Sequence, residues 1–156
     1  MNGCPCYIGC CAGLFPPPRK MIARCAWGRI VRMDFTLDLP DSELRDVVVD
    51  GAEVCIRLSA AAVSDDAGGR GWLASVQLRL SGATLHGDTT HAFGRIAEGR
   101  LRQDDRGVAR LAVPGTLTGD VELALRLANG TQFVARGRAL VASVAADARF
   151  APDLSC

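Results

Sequence analysis

Residues 121–138 read VELALRLANGTQFVARGR and contain two alternating runs separated by Asn129-Gly130. Val121 and three leucines occupy every second position of the first run, and Phe133 and Ala135 share one face of the second run. An Asn-Gly pair between alternating runs is a strong signal for a β-hairpin. We therefore predict a tight type I′ turn, with positive φ at both Asn129 and Gly130, and with the leucine row facing the core.

A second turn signal, Asp50-Gly51, lies between two further alternating runs. The apolar residues of these runs are Val47, Val49, Val54, Ile56 and Leu58. The pattern again predicts a hairpin with a type I′ turn. It places Val54, Ile56 and Leu58 on one apolar face and Cys55 on the opposite, polar face.

Other alternating runs are separated by glycine and acidic residues. A polar loop at 64–71 precedes a strand that runs from Val76 to Leu85, and Gly82 predicts a bulge or bend within it. Three further strands are predicted, over residues 94–102, 108–113 and 140–144. A polar turn at 103–107 joins the first two of these.

Helical signals are short or ambiguous. Asp41-Ser42-Glu43-Leu44 predicts the start of one short helical turn, because Asp and Ser cap free backbone N–H groups. The alanine-rich residues 139–148 suit either a helix or a strand. About seven short strands separated by turns predict an all-β domain, either an antiparallel sandwich or a partly closed barrel.

Two parts of this pattern carry a resemblance. The stretch from Asp41 to Gly51 leads into an alternating strand, and a hairpin built on Leu123–Leu127, Asn129-Gly130-Thr131 and Gly137 closes the pattern. Most of residues 41–144 thereby resembles small uncharacterised bacterial all-β proteins, some of which are grouped with immunity proteins of toxin systems. The resemblance implies a cytoplasmic bacterial protein, and it supplies no catalytic residue.

The composition changes sharply near Met33. Residues 1–32 hold five of the seven cysteines, three consecutive prolines, five positive charges and no acid. Residues 33–156 carry 13 arginines and 17 acids, so the net charge of this part is −4. Together with the five positive charges of residues 1–32, it gives the whole chain a net charge of +1. Such asymmetry indicates a separate segment. We predict that 1–32 is a disordered basic extension or a mis-called start, and that 33–156 is one all-β domain.

Residues 1–32 do not fit the known targeting or metal-binding patterns. The apolar stretch precedes the positive charges, which is the reverse of a secretory signal, and Pro16-Pro17-Pro18 opposes an amphipathic transit helix. The five cysteines lack the repeated pairs typical of structural zinc: Cys4, Cys6, Cys10, Cys11 and Cys25.

Composition also excludes two classes of partner. No stretch approaches the roughly 18 consecutive apolar residues of a membrane-spanning helix. The near-neutral charge gives no case for nucleic-acid binding, and five Phe, two Trp and one Tyr make poor stacking platforms. We expect neither a membrane nor a nucleic acid as partner.

The two histidines are the first candidate for chemistry. His86 and His91 flank Asp88, which gives three possible metal donors or a proton shuttle in a short segment. A zinc site usually takes ligands from a second element as well. We interpret both histidines as solvated loop residues and expect no metal ligands.

Nucleophile patterns are also weak. The chain has no Gly-x-Ser-x-Gly elbow, and Cys156 is its last residue. Cys55 lies in a strand, where a free cysteine usually serves as a small packing residue. An enzyme would need His86, His91 or Cys55 to meet acids in a cleft, which spacing alone does not indicate.

The remaining motifs have structural explanations. Asp65-Asp66 and Asp104-Asp105 fall in predicted turns, where Asp is favoured. The glycine-rich segment at 68–71 lacks the Gly-Lys-Ser/Thr ending of a phosphate loop. Three arginines form a basic stripe on the last hairpin and are expected to pair with Glu122 and other acids across the sheet: Arg126, Arg136 and Arg138.

We therefore predict a small, cytoplasmic, non-catalytic binding or protein-interaction domain of unknown specificity, with an enzyme as the minority case. It has no catalytic, cofactor-binding or metal-binding residues and no cofactor. The alternative is a β-barrel that carries a small apolar ligand. A cavity lined by the face of Val54, Ile56 and Leu58 would favour the carrier, whereas a filled interior with an exposed apolar patch would favour protein interaction.

Overall fold

The computed structural model describes residues 34–153, which form ten β-strands and no helix. The strands are β1 Phe35–Asp50, β2 Glu53–Ser64, β3 Arg70–Ser81, β4 Thr84–Gly87, β5 Gly94–Gln103, β6 Arg106–Gly107, β7 Leu111–Val113, β8 Gly115–Leu127, β9 Gln132–Val144 and β10 Phe150–Pro152. The all-β prediction is confirmed. The predicted extension 1–32 and Cys156 lie outside the described residues, and no helix within 34–153 is able to span a membrane.

Six of these strands close into an antiparallel barrel in the order β1-β2-β3-β9-β8-β5. Of the two predicted architectures, the sandwich and the barrel, the structure is a barrel. The long strands reach 12 to 16 residues in β1, β2 and β3. The strands predicted over 131–138 and 140–144 are one strand, β9, which pairs with β8 over one edge and with β3 over the other.

The predicted apolar faces line the barrel interior. Leu123, Leu125, Leu127, Phe133 and Ala135 are all buried, as the register of the β8–β9 hairpin predicts. The face of β2 formed by residues 54, 56 and 58 is buried as well. These rows follow from the two-residue period of a strand, which sends alternate side chains to the interior.

The bend predicted at Gly82 is confirmed. Gly82 has a φ of 58° and separates β3 from β4. Both strands pair with β9 in one continuous register, from Ser81↔Ala139 to Thr84↔Arg136. β3 and β4 therefore act as one bent strand along β9, and Gly82 supplies the backbone conformation of the bend.

The turn types differ from the prediction. In the β8–β9 hairpin, Leu127 N–H donates to Thr131 O and Gly130 N–H donates to Leu127 O, so the loop has three residues. Gly130 has a φ of 90°, whereas Asn129 is not in a positive-φ conformation. The type I′ assignment is wrong here, because a three-residue loop places its left-handed position at the third residue.

The β1–β2 turn also departs from type I′. Asp50 pairs with Glu53, so its central residues are Gly51 and Ala52 rather than Asp50 and Gly51. Positive φ occurs at Gly51 alone, which is the requirement of a type II′ turn.

The helical turn predicted at Asp41–Leu44 is wrong, because this segment belongs to β1. Asp38 pairs with Ala62 and Glu43 pairs with Ala60, so four residues of β1 lie opposite Ala61. This bulge includes Pro40, which has no N–H for a ladder. Asp41 has a φ of 72°, so the backbone turns out of the ladder at this point.

The side chain of Ser42 replaces the hydrogen bonds that the bulge removes. Ser42 is fully buried; its Oγ donates to Asp38 O at 2.6 Å and accepts from Ala62 N–H at 2.9 Å. A buried N–H without a partner is costly, so Ser42 stabilises the bulged conformation.

We expect Ser42→Ala to lower the free energy of unfolding by about 1–2 kcal/mol, because it leaves the N–H of Ala62 without its acceptor. Urea denaturation of the variant and the wild type measures the difference. Ser59→Ala is the matched control: the exposed Ser59 hydroxyl donates to Glu43 O at 3.3 Å. Equal effects of the two substitutions would contradict the role of Ser42.

Two further segments differ from their predictions. The strand predicted over 108–113 is divided, because only Leu111–Val113 forms β7 and residues 108–110 are not in a strand. The alanine-rich stretch 139–148 is strand as far as Val144 and then turns at residues 146–147.

Candidate functional site

The ladders between the six barrel strands differ in length, and the shortest one joins β1 and β5. These two strands pair only at Glu43↔Arg95 and Leu44↔Gly94. Beyond this point the β1 bulge carries its strand away from β5. β7 then pairs with the start of β1, and β6 pairs with the end of β5. A gap with no ladder therefore separates the middle of β5 from residues 38–42.

This gap forms a groove of about 550 Å³, which we call the β1–β5 groove. One wall is Leu37–Pro40 of β1, another is Gly99–Arg102 of β5, and residues 107–109 close the end. Its floor consists of four buried leucines: Leu37, Leu39, Leu101 and Leu111. The N–H of Val108 donates to Leu101 O at 2.8 Å and holds the end wall against β5.

Leu39 closes the bottom of the groove by packing on Gly99. A Cβ atom at Gly99 would lie 2.5 Å from Leu39 Cβ and 3.3 Å from Leu125 Cδ2. Real side chains do not approach so closely, so the absence of a side chain at Gly99 lets Leu39 cross the gap. The barrel interior is thereby sealed where the backbone ladder is missing.

The rim of the groove is charged. Asp41 and Arg95 form an ion pair across the β1–β5 ladder, in which Arg95 Nε donates to Asp41 Oδ1 at 3.1 Å. On the β1 rim, Asp38 faces Arg70 at 3.7 Å. On the β5 rim, Arg102 donates to Asp105 O, whereas Arg100 has no ion pair among residues 34–153. The β5 rim is therefore basic.

The predicted histidine candidates do not form a metal site. The loop assignment is wrong for His86, because this residue lies in β4 opposite Val134; His91 does lie in the loop before β5. Within residues 34–153, no three His, Cys, Asp or Glu side chains are arranged to hold a metal ion. The backbone oxygen of His91 instead accepts from Asn129 Nδ2 at 3.0 Å, which ties this loop to the β8–β9 turn.

Asp88 has a structural role in the same loop. Its Oδ1 accepts from Thr90 N–H at 2.8 Å. Hydrogen bonds from the Thr90 side chain and backbone lower the pKa of Asp88, because they stabilise the ionised carboxylate. Phe93, at the end of the loop, is 57% exposed, and its ring meets the His91 ring edge-on.

Cys55 is a free, half-buried thiol on the outward face of β2, between Val48 and Arg79 in the ladder. The next outward residue, Arg57, binds Asp46 through two hydrogen bonds of 2.5 Å. These bonds lower the pKa of Asp46.

The turn carboxylates organise their own loops. Asp65 Oδ1 accepts from Ala67 N–H and Gly69 N–H, at 3.0 Å and 2.6 Å. Asp104 Oδ1 accepts from Asp120 N–H at 2.9 Å. Two arginines of the basic stripe form ion pairs across the sheet as predicted, Arg136 with Glu122 and Arg126 with Glu98. No ion pair of Arg138 occurs in the described part of the chain.

We compared the chain with known families, curated proteins and solved structures. No family model, curated protein or solved structure matched. The candidate site therefore depends on geometry alone. None of the three cavities described is lined by Val54, Ile56 or Leu58.

The groove was not predicted from the sequence, although one signal for it is present. Phe35, Leu37 and Leu39 alternate with polar residues, and Pro40 interrupts the run. Proline within an alternating run indicates a sheet edge or a bulge. The capping pattern of the residues that follow instead favoured a helical turn, so the strand and its edge were missed.

Proposed function

We propose that the protein is a non-catalytic interaction domain that binds an extended segment of another protein in the β1–β5 groove. The observation that carries this proposal is the two-pair ladder between β1 and β5, which leaves two strands with an apolar groove between them. Addition of an extended peptide along a strand edge is a common mode of protein recognition.

The groove chemistry indicates the character of the segment. Its leucine floor suits one or two apolar side chains, which an extended peptide presents at alternate positions. Arg100 and Arg102 on the β5 rim favour a carboxylate beside them, since arginine binds carboxylates through charge-assisted hydrogen bonds. The expected partner segment is therefore extended, apolar and acidic.

The buried face of Val54, Ile56 and Leu58 supports protein interaction over carriage of an apolar ligand. A carrier needs space beside its interior apolar face, and this face lines none of the three cavities described. The free thiol of Cys55 supports the proposal of a reducing, cytoplasmic setting. The chain resembles small bacterial all-β proteins, some of which are grouped with immunity proteins of toxin systems, and this makes a toxin the first class of partner to test.

The test selects 12-residue peptides from a random phage-displayed library on the full-length chain. Binding of the enriched peptides is then measured by calorimetry. We expect sequences with an apolar residue near an acid, and at least tenfold weaker binding to Ala109→Trp. Ala109 is exposed and lines the groove end, so a tryptophan there blocks the groove without entering the core.

Ala146→Trp is the matched control, because Ala146 is exposed in the turn after β9. It should bind the peptides as the wild type does. Failure to enrich any peptide, or equal binding by the Ala109→Trp variant, would overturn the proposal. Thermal melts of both variants verify that they fold.

A further inference from the structure

The outward faces of β5, β8, β9 and β4 carry side chains in cross-strand rows. The ladders place Arg100 opposite Ala124, Ala124 opposite Val134, and Val134 opposite His86. The two central members of this row are small and half-buried. Arg100 and His86 stand at its two ends.

The rows on either side are built mostly from longer, polar side chains. They consist of Glu98, Arg126 and Gln132 on one side, and of Arg102, Glu122, Arg136 and Thr84 on the other. Each row lies two residues, or about 6.7 Å, from the central one. The central row is thus the floor of a trench that runs across the strands, which we call the transverse trench.

Ion pairs hold the trench walls in place. Arg126 pairs with Glu98 along one wall, and Arg136 Nε donates to Glu122 Oε2 at 2.7 Å along the other. A cavity of about 470 Å³ lies over Ala124 and Val134 on the side of the Glu98–Arg126 wall, and the residues of the opposite wall do not line it. A flat apolar body resting on these two residues would have charged side chains along its edges.

The trench has an excess of positive charge. Four arginines face outward on these rows against two glutamates, and each glutamate is already paired with an arginine. Arg100 has no ion pair within residues 34–153 and lines the trench directly. An anion would therefore find its partner at the Arg100 end.

We propose that the transverse trench binds a small anion with a flat, apolar body. The ring lies on Ala124 and Val134, its anionic group is bound by Arg100, and His86 closes the other end. The trench lies on the outward face of β5, β8, β9 and β4, whereas the β1–β5 groove lies along the edge of β5, and Arg100 lines both. The proposal does not depend on peptide binding. Aromatic carboxylates and nucleoside monophosphates share this chemistry.

The test measures binding of four probes to the full-length chain by calorimetry: 2-naphthoate, 2-naphthamide, AMP and adenosine. We expect at least one of the two anions to bind about tenfold more tightly than its neutral analogue, because arginine adds charge-assisted hydrogen bonds. Binding by 2-naphthoate alone assigns the carboxylate source, and binding by AMP alone assigns the nucleotide. Amide shifts in NMR spectra should centre on Ala124 and Val134.

Two variants and two controls locate the site. Arg100→Gln should weaken the bound anion about tenfold, whereas Arg138→Gln, which changes another exposed arginine with no described ion pair, should not. Ala124→Leu should abolish binding by filling the trench, and Ala109→Trp should leave it unchanged. Equal binding of anions and neutral analogues, no binding at all, or equal loss in the two arginine variants would overturn the proposal.

Discussion

Replacing Gly99 with alanine is expected to lower the free energy of unfolding by about 2–3 kcal/mol, near the upper end of the range for overpacked cores. The new methyl group would lie 2.5 Å from Leu39 Cβ, an atom fixed to the backbone of β1. Relief requires β1 and β5 to move apart where their ladder has only two residue pairs. Guanidinium denaturation monitored by circular dichroism measures the loss.

Gly107→Ala is the matched control, because a Cβ at Gly107 meets no atom within 4 Å. It should change stability by less than about 0.5 kcal/mol. Shortening Leu39 to alanine should not rescue the Gly99→Ala variant, since alanine retains the Cβ that causes the collision. Rescue by that change, or similar losses at Gly99 and Gly107, would contradict the proposed packing.

Gly130→Val is expected to cost about 2–3 kcal/mol, because a β-branched residue must adopt the φ of 90° at the third position of the β8–β9 loop. A register slip that relieves this strain would turn the row of Leu123, Leu125 and Leu127 toward water. We therefore expect aggregation together with the lost stability. Denaturant melts and light scattering measure the two effects.

The control is Gly107→Val, at a position without positive φ. It should stay folded and monodisperse at temperatures where Gly130→Val aggregates. The three-residue loop also predicts that Asn129→Ala removes no positive-φ residue, so it should cost less than Gly130→Val. Because Asn129→Ala also removes the hydrogen bond to His91 O, a positive φ at Asn129 in NMR spectra, and not the size of the loss, would favour the two-residue turn instead.

Local pairings were predictable from the sequence. The hairpins at 47–58 and 121–138 join residues that are close in the chain, and alternation alone selects their inward faces. Their turn types were mispredicted, because Asn-Gly and Asp-Gly each suit several turn geometries that differ in which residue has positive φ. The bend at Gly82 was predictable because glycine has few other roles within an alternating run.

Distant pairings were not predictable, and the candidate sites depend on them. The groove requires β1 to lie beside β5, although more than fifty residues separate Phe35, where β1 begins, from Gly94, where β5 begins. The trench requires four strands to lie side by side. No local pattern encodes such neighbours. Ala124 and Val134 lie on the face opposite the leucine row, and only the ladders place these two small residues in one row with Arg100 and His86.

The pairing of β3 with β9, which closes the barrel, has a consequence for synthesis on the ribosome. β1, β2 and β3 can pair as they emerge, but the free edge of β3 finds its partner only when Ala139–Val144 is made. Pairing over such sequence distances slows folding, and unpaired edges promote association between chains. The nascent half-barrel should therefore be the species most prone to aggregate, and chains truncated before β9 should need a chaperone to remain dispersed.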